Sequence, residues 1–130
     1  MGENLILEEL KYIHKLLGEC LDRMDEISRP KAGNVIWRLI FPAGQFMQQK
    51  STTKAAAAIL VNVGTRLQEM VDVLEERQHP KTETIRNLLD PNLFNMAERL
   101  VELPERSQYY IPEVDNLLIR IEDIIKDIGS

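Results

Sequence analysis

The side chains through which this chain could do acid–base, nucleophilic or metal chemistry are two histidines, one cysteine and 21 carboxylates. His14 sits between Ile13 and Lys15, beside a periodic apolar run, and is expected to be a half-exposed structural residue, with no nucleophile at a telling spacing. His79 precedes Pro80 and reads as the end of a helix, where a protonated ring would favour the dipole. Cys20 falls on the same apolar run as Ile13 and is expected to be a buried small residue, not a reactive thiol. Carboxylate pairs such as Glu8-Glu9, Glu75-Glu76 and Glu122-Asp123 are adjacent, so their members point to different sides of a helix. A di-metal helical bundle wants a Glu-x-x-His motif on each of two helices, which this chain does not have. Glu69, Asp72, Glu75 and Glu76 facing acids of another helix would still allow a small metal- or ligand-dependent enzyme working through inward-facing carboxylates. No catalytic residue, resident cofactor or metal site is expected from these patterns.

The middle of the chain carries a different signal. Residues 30–66 hold five bases and no acid, whereas residues 1–29 hold seven acids and four bases, and residues 67–130 hold fourteen acids and seven bases. The net charge of −5 therefore conceals a middle of +5. The overall sign disfavours nucleic acid as a partner, because the summed field repels phosphate. Residues 34–54 contain the one Trp and two of the three Phe. Trp37, Arg38, Phe41, Phe46, Lys50 and Lys54 are the candidate partner-binding residues, since Trp and Arg are enriched in binding hot spots and a basic aromatic patch suits an acidic helix. The same side chains would equally close the end of a bundle as core, or lie against an anionic membrane surface. Gly44 to Ser51 nearly matches the phosphate loop G-x-x-x-x-G-K-[ST], but Gln49 stands at the second glycine, and the surrounding sequence offers no set of strands to carry such a loop.

Helices must position these residues. Ile6, Leu10, Ile13, Leu17, Cys20, Met24 and Ile27 recur at steps of four and three, which predicts a helix over 4–28. Ser51, Thr52 and Thr53 read as capping residues for a helix over 51–78 that opens on Ala55 to Ala58 and continues through Leu60, Val63, Leu67, Met70, Val71 and Leu74. Lys81-Thr82 reads as a turn into a short helical piece at 83–89. Asp90-Pro91 reads as an N-cap followed by a proline at the first helical position, predicting a helix over 91–103 that Pro104 stops. A last helix is predicted over 112–128 with the seam Val114, Leu118, Ile121, Ile125 and Ile128, and with Tyr109-Tyr110 in the connection before it. Its isoleucine heptads suit packing within a bundle and pairing with another chain alike. Residues 34–41 are predicted as a short helix, with a strand as the alternative for 35–41. Aligning Pro91 with Pro112 pairs several residues of the last two helices, a match that two amphipathic helices with proline starts produce by pattern alone.

The expected architecture is a single domain over 1–130, all-α, an irregular four- to five-helix bundle. One cysteine, a start without the pattern of a secretory signal and no apolar run long enough to span a bilayer give a cytoplasmic protein as the expectation. With many apolar seams and little chemistry, the expected function is a non-catalytic interaction module, binding a protein partner or another copy of itself.

Overall fold

The computed structural model describes residues 2–28 and 42–129, with side chains for 2–27 and 51–129. Trp37, Arg38 and Phe41, and with them the choice of helix or strand at 35–41, lie outside the described residues, as do the side chains of Phe46 and Lys50.

The described chain is all-α, with no strand among the described residues. Helix α1 spans Glu3–Ser28, α2 Pro42–Glu76, the one-turn α3 Thr82–Arg86, α4 Leu93–Glu102 and α5 Ser107–Gly129. Short 3-10 turns at Asn87–Leu89 and Pro104–Arg106 prolong α3 and lead into α5. The seam read from the sequence is the buried face of α1: Ile6, Leu10, Ile13, Leu17, Cys20 and Met24 are all inaccessible to solvent.

Three helix starts and one helix end differ from the sequence expectation. Helix α2 begins at Pro42, not Ser51. A proline at the first helical position loses no hydrogen bond, and Gly44 is the one poor helix former from Ala43 to Lys50, so Pro42 initiates α2 instead of merely ending what precedes it. Thr53, expected among the caps, is instead a buried residue within the helix. Helix α4 starts at Leu93, because Asn92 takes the capping role expected of Asp90: its side-chain oxygen accepts the Asn95 N–H at 3.0 Å. Helix α5 starts at Ser107 and encloses Pro112. The ring removes an N–H that would have reached the Gln108 carbonyl, yet Tyr110 and Ile111 extend the apolar stripe one turn upstream of Val114, and burying that stripe outweighs the lost bond. Tyr110 is therefore part of a helical face and Tyr109 points to solvent, so neither belongs to a connection. The two prolines aligned in the apparent repeat play different parts, one before a cap and one inside a helix, so the match reflects pattern alone.

The other end of α2 stops at Glu76 in a Schellman arrangement. The His79 N–H donates to the Leu74 carbonyl at 2.9 Å and the Gln78 N–H to the Glu75 carbonyl at 3.0 Å. Gln78 occupies the left-handed position, with φ 51°. His79 thus lies beyond the helix, and its Nδ1 accepts the Lys81 N–H at 3.0 Å.

Helix α1 packs between α2 and α5, and α2 packs between α1 and α4. Direction follows from the cross-helix bonds. Cys20 donates to the Ala56 carbonyl at 3.6 Å, while Arg66 reaches Glu9 at 2.8 Å, so α1 and α2 are antiparallel. Arg86 pairs with Glu75 at 3.2 Å, and Phe94 packs on Gly64, so the chain returns along α2 after the turn at 77–81. Leu60, Leu67, Leu74, Leu88, Leu100, Leu117 and Ile121 join the α1 seam in one buried apolar cluster. At 1.5 Å per residue α1 is about 39 Å long and α2 about 52 Å; with Cys20 opposite Ala56, the first turns of α2 run past the end of α1.

Candidate interaction surface

The interior offers little chemistry. Its buried polar residues are Thr53, Thr82 and Ser107, and no described carboxylate is buried. Cys20 is a free, inaccessible thiol that burial pushes up to about 12, against 9.0 for an ordinary cysteine; Arg23 opposes the shift more weakly. A thiol held neutral in this way is neither nucleophile nor metal ligand. Among the described residues no three of His, Cys, Asp and Glu come together to hold a metal ion. Glu69, Asp72, Glu75 and Glu76 all face outward and do not converge on acids of another helix. His14 is half-exposed, as its flanking position suggests, and pairs with Glu122 of α5 at 2.8 Å. The backbone of 42–51 is helical throughout, so Gly44 to Ser51 forms no loop around a phosphate, and the phosphate-loop reading is overturned.

Two polar arrangements brace the helices from outside. Arg66 spans from α2 to α1, its guanidinium 4.4 Å from the centre of the Tyr12 ring while Nη1 donates to Glu9 and Nε to Asn62 at 3.2 Å. The hydrogen bond to Glu9 raises the Arg66 pKa further above its ordinary range. Arg120 of α5 donates to the Asn87 and Asp90 carbonyls, holding the end of the 3-10 turn against α5. Its Nε is buried without a partner among the described residues, at the floor of an open groove lined by Asp90, Pro91, Pro112, Glu113 and Asn116. With two carboxylate residues on that rim, the groove does not favour an anion.

The more extensive feature is an exposed face along α2. Lys54, Ala58, Val61, Thr65, Gln68, Asp72 and Glu76 follow one another at helical steps of three and four, and every one is exposed. Val61 is 43% accessible; on the neighbouring α4, Phe94 and Val101 are 46% and 47% accessible. Phe94 and Val101 are seven residues apart and share one side of α4. Phe94 lies on Gly64, where a Cβ would come within 3.0 Å of the ring, so this glycine lets α4 and α2 approach closely. An apolar strip thus runs along the α2–α4 groove, with Lys54 at one end of the adjoining face and Asp72 and Glu76 at the other.

Of the six partner-binding residues named from the sequence, Lys54 is described and exposed on this face. Phe46 and Lys50 fall in the first turns of α2, at steps of four before Lys54. Val61, Phe94 and Val101 were not among those six. Val61 blends into the apolar run of α2; the signal for Phe94 and Val101 lies in their flanking the tighter buried set Leu93, Met96, Ala97 and Leu100.

The fold and this surface define a helical bundle with an apolar interior and a half-exposed apolar strip between charged ends. No family model, no curated protein and no solved structure matches the chain. No helix is long and apolar enough to cross a membrane among the described residues.

Proposed function

We propose that this protein is a non-catalytic helical interaction module, an adaptor, regulator or assembly subunit that binds a protein partner or another copy of itself in the cytoplasm. The observation that carries this reading is the strip Val61, Phe94 and Val101, each more than two-fifths exposed on two neighbouring helices. Apolar side chains framed by charged residues are the anatomy of a protein-binding patch: a water-excluding centre with a polar rim. The basic and aromatic residues named from the sequence, Trp37, Arg38, Phe41, Phe46, Lys50 and Lys54, precede the strip in the chain and have the composition of a partner-binding segment. The cytoplasmic assignment draws support from the single cysteine, kept as a buried thiol.

The reading is tested with a photo-crosslinking amino acid placed at Val61 in the full chain, with a control at the exposed Lys11 on the far side of α1. Crosslinking from position 61 and not from position 11 to a protein, whether another molecule or a second copy, is expected. Absence of any protein adduct from position 61 at native expression would overturn it.

A further inference from the structure

Resting on the interaction-module reading, we propose that the partner seated on this surface is a second copy of the chain, with the exposed faces of two α2 helices packed antiparallel about a twofold axis near residue 63.

The exposed face is complementary to itself only in the antiparallel sense. From its first residue through Arg66, α2 has bases and no acid; from Leu67 to Glu76 it has Glu69, Asp72, Glu75 and Glu76 and no base. Turned end for end against an identical helix, the basic half of each copy meets the acidic half of the other. The steps of three and four also close: with Lys54 opposite Asp72 of the second copy, Ala58 comes opposite Gln68 and Val61 opposite Thr65. Lys50 then takes the register position opposite Glu76. Small and medium side chains occupy the middle, as two helix axes at 8–10 Å require.

The same arrangement places the apolar residues at the centre. Phe94 lies on Gly64, one residue from the twofold, so the Phe94 rings of both copies flank the axis beside both Val61 side chains. A twofold contact is isologous, each patch serving twice, so every pair named above occurs twice. Lys54 has no ion-pair partner among the described residues, and Asp72 is held only by Gln68 at 3.0 Å, on the same face. A parallel pairing would set Lys54 against Lys54 and Asp72 against Asp72.

Charge reversal in two chains tests this. Sedimentation equilibrium of the wild-type protein should show a dimer at micromolar concentration. Lys54→Glu alone and Asp72→Lys alone should each raise the dimer Kd about tenfold, because each creates two like-charge contacts. Mixing the two variants should restore the wild-type Kd to within about threefold. In that heterodimer the two substituted side chains, of opposite charge, face each other, and the unsubstituted Lys54 of one chain faces the unsubstituted Asp72 of the other. Both sites are exposed, and unchanged far-UV circular dichroism will show that each variant folds. A wild-type monomer up to about 100 µM overturns the proposal; so does a dimer that neither variant weakens, or one that the mixture fails to rescue. A protein adduct from position 61 together with a monomeric wild type would overturn this pairing alone, leaving the interaction module in place.

Discussion

Cys20 separates what a residue could do from what its place permits. A thiol on a helix beside Arg23 would be a candidate nucleophile if water reached it, but here its hydrogen goes to the Ala56 carbonyl and its sulfur contacts Met24 at 3.7 Å. Burial dominates, and the thiol stays neutral to about pH 12. Iodoacetamide is therefore expected to leave Cys20 unmodified in the native protein at pH 8 and to label it in urea, with mass spectrometry as the readout. The same shift makes stability depend on pH. An unfolded thiol ionises near its ordinary value of 9.0 while the folded one does not, so the unfolded state binds fewer protons between about pH 9 and 12. Over that window the folded state should lose stability as pH rises, at up to about 1.4 kcal/mol per pH unit, and this contribution should be constant below the window. Urea titrations of wild type and Cys20→Ala across pH 8 to 10.5 isolate the contribution, since the other titrating groups are common to both. His14 and Glu122, half-exposed on α1 and α5, hold a pair worth no more than about 1 kcal/mol, consistent with a structural role.

At the scale of the elements, helix boundaries answer to capping geometry and burial more than to the strongest local signal. Asn92 displaces Asp90 as a cap, Pro42 starts a helix, and Pro112 is absorbed within one. The end of α2 provides a measurable instance. Its Schellman turn needs a left-handed residue, and Gln78 supplies it at φ 51° where glycine would do so without a Cβ clash. Gln78 is exposed, so its side chain contributes little burial in return. Gln78→Gly is expected to stabilise the protein by about 1 kcal/mol, read as a rise in the urea midpoint at constant m-value.

For the whole molecule, one buried cluster draws on α1, α2, α4, α5 and the turn between α2 and α4, with Leu67 near its middle and inaccessible to solvent. Leu67→Ala should therefore cost about 2–5 kcal/mol, and hydrogen exchange should show protected amides of α1, α2 and α5 losing protection together, not α2 alone. Composition and periodicity were enough to determine that this chain is helical, that α1 runs to Ser28 on an Ile6-to-Met24 seam, that Cys20 belongs on it, and that charge is segregated along α2. These are properties of near neighbours in the chain, and the period of a helix writes them directly into residue spacing. What covers each face is set by residues distant in sequence. Phe94 and Val61 are apolar residues like those of the core, and only the docking of α4 on Gly64, with the register of α1 against α2, leaves them at the surface. Tertiary structure decided that, because burial is a relation between elements and the exposure of a side chain depends on which helices reach it.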